Sequence, residues 1–273
     1  MIAHAEVLAL LEPLLDDCRA LLLARASKAT AWRKLSTDGV AEWVTELDGE
    51  IESRLSSALR AAFPDAGIVG EELSPHPAAL DAEHCFVIDP IDGTRELLAG
   101  HDGYSISVAL LHRRRPVLGL LDFPARGRRF IASRGAPTRC NGHFVAVSRP
   151  APGPCRIAVS PAQVQSPRWA ALAAACGDID CVPSGALGSK LALVAAGEFD
   201  AAFFMDWEGS RAPVWDFAAA GLVLAGAGGR FTTLDGASLC EELPGVQRGG
   251  WLASNSACHD SLLRRLRRHR IAA

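Results

Sequence analysis

The sequence lacks paired cysteine motifs. Its eight cysteines include no C-x-x-C, and none lies at zinc-ligand spacing from a histidine, which argues against a structural zinc site. A chain of 273 residues does not need disulfide bonds to fold. We therefore interpret the cysteines as mostly reduced, small hydrophobic residues of the protein interior.

A secretion signal and a membrane-spanning run are also missing. The N-terminal residues Met-Ile-Ala-His-Ala-Glu carry no basic segment and already include an acid. The apolar run over residues 217–229 is too short and too rich in glycine to cross a bilayer, which takes about 20 residues. We expect a cytoplasmic protein without a membrane partner.

The chain has no strong excess of charge of either sign. Its 28 Lys and Arg against 31 Asp and Glu give a net charge of −3, and the pI is about 6.2. This balance gives no electrostatic reason to expect a nucleic-acid polymer as partner. Hydrophobic residues make up 49% of the chain and glycine and proline follow no short period, which excludes disordered and collagen-like proteins.

Several catalytic motifs are absent as well. The sequence contains no G-x-x-x-x-G-K-[ST], no complete G-x-G-x-x-G, no G-x-S-x-G and no H-E-x-x-H. Its eight histidines are scattered and none has a partner at metal-ligand spacing. The usual sequence signatures of P-loop, dinucleotide-binding, α/β-hydrolase and zinc-protease sites are therefore missing.

The apolar periodicity predicts an α+β or layered α/β protein. Helices are expected over residues 2–29, 45–62, 169–176, 187–196 and 215–225, and from residue 94. Strands are expected over residues 67–70, 85–88, 104–111, 117–123, 130–132, 157–159, 201–204 and 251–253, with a hairpin turn at Asn141-Gly142. The Pro-rich segment 150–154 predicts a boundary between an N-terminal lobe, residues 1–150, and a C-terminal lobe, residues 151–273. The arginines after Ser261 are interpreted as a solvated helix end, with phosphate or nucleic-acid binding as the alternative.

The most informative stretch is Asp89-Pro90-Ile91-Asp92-Gly93-Thr94, which follows the apolar run 85–88 and is expected at the end of that strand. Pro90 favours extended backbone before it, and Gly93 permits a turn that other residues resist. Two carboxylates three residues apart on such a turn can point to one place. A helix beginning at Thr94 would add free N–H groups there, which attract an anion.

Carboxylates that converge repel each other, and a hard divalent cation removes that conflict. Oxygen ligands of this kind suit Mg²⁺, which pairs with substrate phosphate. Further acids are expected at strand or helix ends: Asp48, Glu71, Glu72 and Asp216. Structural alternatives stay open: a capping box for Asp48, a solvated loop pair for Glu71 and Glu72, and an N-cap or first-turn helix acid for Asp216. Asp89 and Asp92 could instead close an Asx turn.

Taken in order, these motifs resemble the inositol monophosphatase superfamily of Mg²⁺-dependent, lithium-sensitive phosphatases. Residues 89–94 match D-P-[IL]-D-G-T in full. Residues 43–48 look like the V-T-x-x-D segment of the family, residues 70–72 are its G-E-E, and residues 119–124 look like its G-V-x-x-x-P strand. Residues 139–142, 194–200 and 214–219 resemble its hairpin and its two later motifs.

The resemblance implies an αβαβα sandwich of the inositol monophosphatase or fructose bisphosphatase type, assembled as a homodimer. It implies two or three Mg²⁺ per site, held by Glu71, Asp89, the Ile91 carbonyl, Asp92 and Asp216. The implied catalytic residues are Asp48, Thr94 and Glu71, with Asp48 and Thr94 orienting the metal-activated water. The implied substrate-binding residues are Gly93, Thr94, Lys190, Glu208 and Asp216. Four carboxylates and two Mg²⁺ nearly cancel in charge, so metal is expected to be obligatory for binding a phosphate dianion.

The sequence departs from inositol monophosphatases where a Glu usually precedes the W-D Asp by seven residues. Gly209 stands there, with Glu208 one residue away. Arg95-Glu96-Leu97 and Lys190 are similar to the 3′(2′),5′-bisphosphate nucleotidase branch, although exposed helix residues would explain them equally. Inositol-1-monophosphate or a related polyol phosphate is thus the leading expectation. The alternatives are 3′-phosphoadenosine 5′-phosphate, then histidinol phosphate, and, in a different class, a non-catalytic binder of the same fold.

Overall fold

The computed structural model describes residues 2–35, 41–73, 76–205 and 211–272. Within these ranges the chain forms eight α-helices: α1 His4–Arg25, α2 Glu46–Ala62, α3 Thr94–Leu98, α4 Pro161–Val164, α5 Trp169–Cys176, α6 Leu187–Ala195, α7 Val214–Gly226 and α8 His259–Ala272. The first nine strands are β1 Ala31–Leu35, β2 Ala41–Thr45, β3 Gly67–Gly70, β4 His84–Asp92, β5 Ser105–His112, β6 Arg115–Phe123, β7 Arg128–Ser133, β8 Arg139–Cys140 and β9 His143–Phe144. The later strands are β10 Cys155–Val159, β11 Ile179–Pro183, β12 Ala201–Phe204, β13 Arg211–Pro213, β14 Arg230–Thr233, β15 Val246–Arg248 and β16 Trp251–Ser254.

Two large sheets divide these strands. The first has seven strands in the order β3-β4-β5-β6-β7-β8-β9, antiparallel except for the parallel pair β3–β4. The second has five strands in the order β11-β10-β12-β16-β14, with β10 parallel to both of its neighbours. β1 pairs with β2 and β13 with β15 as separate two-stranded ribbons.

Alternating side chains along each strand place the sheets between helical layers. In β4, Phe86 packs toward α1 and α2, while its neighbour Val87 packs toward α6 and α7. In β10, Ala158 joins the core around α6 and α7, while Ile157 packs toward α5 and α8. Both faces of each sheet are thus covered, and the five layers confirm the predicted αβαβα sandwich.

Local sequence signals account for the helix boundaries. Thr45 caps α2 with its hydroxyl, and Asp48 closes the capping box by accepting from the Thr45 N–H. α1 continues through Pro13 and ends at Arg25, earlier than the predicted residue 29, because residues 26–28 form a 3₁₀ turn. No helix in the described ranges has the length and apolar character needed to cross a bilayer.

Two sequence-based expectations need correction. The strand predicted over 85–88 continues to Asp92, because Asp89 pairs with Ser107 and Asp92 with Ser105 across a bulge that contains Pro90. The acidic motif is therefore the bulged end of β4 and not a loop after it. All eight cysteines are free thiols, but five of them are half-buried, and only Cys18, Cys85 and Cys176 are buried.

One buried histidine is held by two hydroxyl groups between β14, β16 and α8. The Nδ1 atom of His259 lies 2.7 Å from Oγ of Ser254, and its Nε2 atom lies 3.0 Å from Oγ1 of Thr232. Burial lowers the pKa of His259 to about 4, since the neutral imidazole is favoured away from water. The imidazole ring is therefore uncharged in the folded protein at neutral pH.

Candidate active site

A pocket of about 530 Å³ lies at the bulged end of β4, where the first sheet meets α3, α6 and α7. Eight of the predicted site residues line it: Glu71, Asp89, Ile91, Asp92, Gly93, Thr94, Lys190 and Asp216. Asp48 does not line the pocket itself but contacts Thr94, which does. Glu208 and Gly209 lie outside the described residues.

Four of the acids that line the pocket, Glu71, Asp89, Asp92 and Asp216, influence one another electrostatically. Burial raises the pKa of Asp89 well above its usual range, and the charges of Glu71, Asp92 and Asp216 raise it further. Burial and the charge of Asp92 raise the pKa of Asp216 in the same way. The pKa of Glu71 rises to about 8, mainly through burial. Carboxyl groups from β4, from the residue after β3 and from the first turn of α7 therefore share one electrostatic environment.

Asp92 is held by the N-terminal end of α6. The backbone N–H of Gly188 donates to its Oδ2 at 2.6 Å. Burial raises the pKa of Asp92 to about 6, while hydrogen bonds from the backbone N–H groups of Gly188 and Leu187 and the charge of Lys190 oppose that shift. Asp92 is therefore oriented by α6, whose contact with it could not be inferred from the spacing of the sequence motifs.

Asp48 and Thr94 form a second polar unit beside these acids. Asp48 is buried, and its Oδ2 accepts from both the N–H and the hydroxyl of Thr45, at 2.8 and 2.6 Å. The Thr94 hydroxyl lies 3.2 Å from Oδ1 of Asp48 and 3.2 Å from the Ile91 carbonyl oxygen. Burial raises the pKa of Asp48 to about 6. The capping box and the predicted catalytic contact thus use opposite oxygens of one carboxylate.

Gly93 forms the turn between β4 and α3. Its φ of +95° lies in the left-handed region that favours glycine. A Cβ atom at this position would lie 2.9 Å from Cβ of Ala186, so the close approach of the 186–188 segment also requires glycine. The turn brings Thr94 back toward Asp48 and places the start of α3 on the pocket wall.

Lys190 is a buried cation among the acids. Its Nζ donates to the Ser160 hydroxyl at 2.7 Å and to the Gly185 carbonyl at 2.8 Å, and only 2% of the residue is exposed. Burial lowers its pKa to about 8, opposed by the charges of Asp92, Glu96 and Asp216. The alternative that Arg95, Glu96 and Lys190 are simply exposed helix residues is wrong for Glu96, which is half-buried, and for Lys190, which is buried. Arg95 is exposed but also lines the pocket.

Glu52 and Lys34 support the Glu71 segment and were not predicted. Glu52 is fully buried on α2 and accepts from the N–H groups of Glu72 and Leu73, at 2.7 and 2.8 Å. Lys34 on β1 forms an ion pair with Glu72 and lies 3.7 Å from Glu71. A charged residue one position after Ile51, inside the apolar repeat of α2, was the available signal for Glu52.

The donor set fits a hard divalent cation. The described lining of the pocket contains carboxylates and carbonyl groups but neither histidine nor cysteine, which is the ligand chemistry that Mg²⁺ and Ca²⁺ prefer. Within the described ranges, no three acidic, histidine or cysteine side chains already converge on a common point. Burial raises the pKa of both Glu71 and Asp89, and the charge of Glu71 raises that of Asp89 further, so a proton on one of the two carboxyl groups is favoured. A bound cation would replace that proton and remove the repulsion among the acids.

Comparison with known proteins places the chain in one family. The model of the inositol monophosphatase family matches residues 4–270. The chain is 32% identical to the histidinol-phosphatase of Mycobacterium tuberculosis, over 82% of this chain and 84% of that protein. It is 30% identical to the Nus factor SuhB of Pseudomonas aeruginosa, over 84% of each chain.

A solved structure shows the same architecture. The IMPase of Thermotoga maritima superimposes with a TM-score of 0.80 at 23% identity, covering 97% of this chain and 98% of the other. The family match spans the acidic motif of β4, the β3 end and the α7 acid that surround the pocket. The chain therefore belongs to the inositol monophosphatase family and is a phosphoric monoester hydrolase.

Proposed function

We propose that this hydrolase is a Mg²⁺-dependent phosphatase that removes phosphate from a small phosphomonoester in the pocket at the end of β4. The observation that carries the proposal is that Glu71, Asp89, Asp92 and Asp216 line one pocket together with the Gly93–Thr94 turn. Acids gathered without a compensating number of cations are unfavourable unless a metal ion or protons neutralise them.

Glu71, Asp89, the Ile91 carbonyl, Asp92 and Asp216 would hold the metal ions. Mg²⁺ supplies positive charge beside the phosphate and lowers the pKa of a nearby water. Asp48 would accept a proton from the attacking water, since its pKa of about 6 suits a general base near neutral pH. Thr94 would orient that water through the hydroxyl that contacts Asp48. The Gly93–Thr94 backbone would contact the phosphate.

The charges of the pocket favour a substrate with more than one anionic group. Once Mg²⁺ neutralises the four acids, the charge of buried Lys190 is no longer balanced by Asp92 and Asp216. Arg95 and Arg211 also line the pocket, as do Glu42 and Glu96, so with Lys190 the cations exceed the remaining acids by one. A second phosphate would be attracted here, which supports 3′-phosphoadenosine 5′-phosphate ahead of inositol-1-monophosphate. The histidinol-phosphatase relative keeps histidinol phosphate as a third candidate.

A substrate panel tests this proposal. Purified protein with Mg²⁺ would be given 3′-phosphoadenosine 5′-phosphate, inositol-1-monophosphate, histidinol phosphate and fructose 1,6-bisphosphate, and released phosphate would be measured. We expect release that EDTA abolishes and excess Mg²⁺ restores, with the highest kcat/KM for the bisphosphate nucleotide. Activity that persists in EDTA would contradict the metal proposal, and a preference for inositol-1-monophosphate would contradict the substrate choice alone.

The remaining expectations are proposals with their own tests. Light scattering would check the homodimer, and fractionation of cells would check the cytoplasmic location. Separate expression of residues 1–150 and 151–273 would check the two predicted lobes. Fluorescence anisotropy of labelled RNA would check the expectation that no nucleic-acid polymer binds, and we expect no change when the protein is added.

A further inference from the structure

The β1–β2 ribbon carries an unusual concentration of exposed apolar side chains. Trp32, Leu35 and Trp43 are 46%, 72% and 39% exposed. Burying an aromatic side chain stabilises a protein by a few kcal/mol. An exposed indole does not give the folded state this stabilisation, so we looked for a functional reason for its exposure. Trp43 lines the pocket described above, whereas Trp32 and Leu35 do not.

The register of the ribbon separates the two tryptophans. Arg33 pairs with Trp43, and Trp32 pairs with Val44. Because successive side chains of a strand point to opposite faces, Trp43 shares a face with Thr45, and Trp32 lies on the other face. Thr45 is the residue whose hydroxyl contacts Asp48. Both faces of the ribbon approach the site, since Lys34 and Glu42 on the Trp32 face meet Glu71 and the pocket, but of the two tryptophans Trp43 lines the pocket.

The indole is held in place by its neighbour. The Arg33 guanidinium lies 5.7 Å from the centre of the Trp43 ring, within range of a cation–π contact. The same guanidinium donates to the Ala41 carbonyl at 3.1 Å, which fixes Arg33 across the ribbon. Arg33 thus restrains the side chain of Trp43, whose indole lines the pocket.

Another part of the pocket lining is aromatic too. Phe204 and Trp251 line it and stack on each other, with ring centres 6.5 Å apart. The lining therefore combines the acids and Lys190 with aromatic side chains, and the Lys190 Nζ lies 6.0 Å from the centre of the Trp251 ring. A saturated polyol offers no flat face to an indole and needs hydrogen-bond partners that the ring cannot supply. A heteroaromatic ring would remove apolar area of both partners from water.

We propose that Trp43 determines substrate specificity by stacking on a planar heteroaromatic ring, such as a nucleobase, that the substrate carries beyond its phosphate. This inference rests on the proposed phosphatase function and narrows its substrate class to phosphorylated nucleosides and related heteroaromatic compounds. Trp43 is not assigned to the chemical step. It positions the ring while the acids of β4 and α7 act on the phosphate.

The test compares two ligands that differ by the base alone. Adenosine 5′-monophosphate and ribose 5-phosphate would be titrated calorimetrically into the full chain with Ca²⁺, and inorganic phosphate would be assayed afterwards to confirm that both ligands are intact. Stacking on an aromatic side chain changes affinity by about 5- to 140-fold per base. We expect the wild type to prefer the nucleotide by about that factor, and Trp43→Leu to lose the preference while binding ribose 5-phosphate unchanged.

Two variants control for structural effects. Trp43→Phe keeps an aromatic ring and should retain part of the preference. Trp32→Leu removes the tryptophan of the opposite face and should retain all of it, with circular dichroism melts showing that each variant is folded. Equal affinity of the wild type for both ligands, equal weakening of both ligands in Trp43→Leu, or the same loss in Trp32→Leu would overturn the proposal.

These outcomes are separate from those of the proposed function. The proposed phosphatase function would be contradicted if the wild type with Mg²⁺ released no phosphate from any substrate of the panel, whatever the calorimetry shows. The stacking role is read from binding, so it is tested even in that case.

Discussion

The backbone N–H of Gly188 donates a 2.6 Å hydrogen bond to Oδ2 of Asp92 and joins the start of α6 to the end of β4 across 96 residues of sequence. A Cβ atom at residue 188 would lie 2.5 Å from the same oxygen and 3.3 Å from Oγ of Ser105. Only glycine permits this approach, so the position of Asp92 depends on the absence of a side chain on another element.

Gly188→Ala should therefore impair catalysis more than folding. The added methyl group must displace Asp92 or α6, and a displacement of about 1 Å in an active site can lower the rate about 100-fold. We expect kcat to fall at least 10-fold in a phosphate-release assay. The matched control is Gly49→Ala on α2, where a Cβ atom meets nothing within 4 Å.

Gly49→Ala should leave kcat unchanged and raise the free energy of unfolding by about 0.5–1 kcal/mol, because alanine favours helix. Equal activity of the two variants would show that Asp92 does not need its present position.

Asp92→Asn should abolish activity without unfolding the chain. Asparagine keeps an oxygen that accepts from Gly188 but removes the negative charge proposed to bind metal. Because burial already raises the pKa of Asp92 to about 6, removing this charge should not lower the melting temperature. We expect phosphate release to fall by at least about 100-fold, a loss of roughly 3 kcal/mol of transition-state stabilisation. Unchanged activity would remove Asp92 from the metal site.

Thr94→Val should slow the reaction because it deletes the hydroxyl that lies 3.2 Å from Oδ1 of Asp48 while keeping the shape of the side chain. Loss of a group that positions a general base lowers rates by about 100-fold or more. We expect that loss in kcat with little change in KM. Thr94→Ser, which keeps the hydroxyl, should retain most of the activity, and a serine variant as slow as valine would argue for a purely steric role.

The buried His259 predicts a loss of stability in mild acid. Its pKa is about 4 when folded, against an ordinary value of about 6.5, so the unfolded chain binds the extra proton first as the pH falls. Its contribution is therefore complete above pH 6.5 and is lost between about pH 6.5 and 4. Between pH 7 and 5 we expect a loss of about 2 kcal/mol from this residue.

Urea unfolding at both pH values, compared with His259→Asn, isolates the histidine from the other titrating groups. The variant should lose about 2 kcal/mol less than the wild type over this interval. The same pH dependence in both proteins would show that His259 does not titrate as its burial requires.

Most of the fold could be predicted from the sequence, because it depends on interactions between neighbouring residues. The capping box at Thr45, the breakers around 67–70 and the hairpin at Asn141-Gly142 depend on neighbouring residues, and the structure has each where it was predicted. The end of β4 was placed four residues early because the apolar run ends at Ile88. A bulge absorbs Pro90 here, and its position depends on the partner strand β5.

The contacts that orient the site could not be predicted in the same way. Glu52 reaches the segment after β3 only because α2 packs against that strand, and Gly188 meets Asp92 only once α6 lies between the sheets. Lys190 could be identified as a candidate from its resemblance to one branch, but its burial depends on the surrounding α6, β10 and β16 layers. Such contacts depend on tertiary packing, which local periodicity does not encode.

The helix layer between the two sheets has a consequence for synthesis of the protein. During translation, Asp89 and Asp92 leave the ribosome well before α6 and α7, which carry Gly188, Lys190 and Asp216. A nascent chain that has emerged only as far as β9 exposes acids that have no helix to orient them and no covering layer. Activity can therefore appear only late in synthesis, after the last third of the polypeptide has packed against the first sheet. The onset of activity would mark the end of folding.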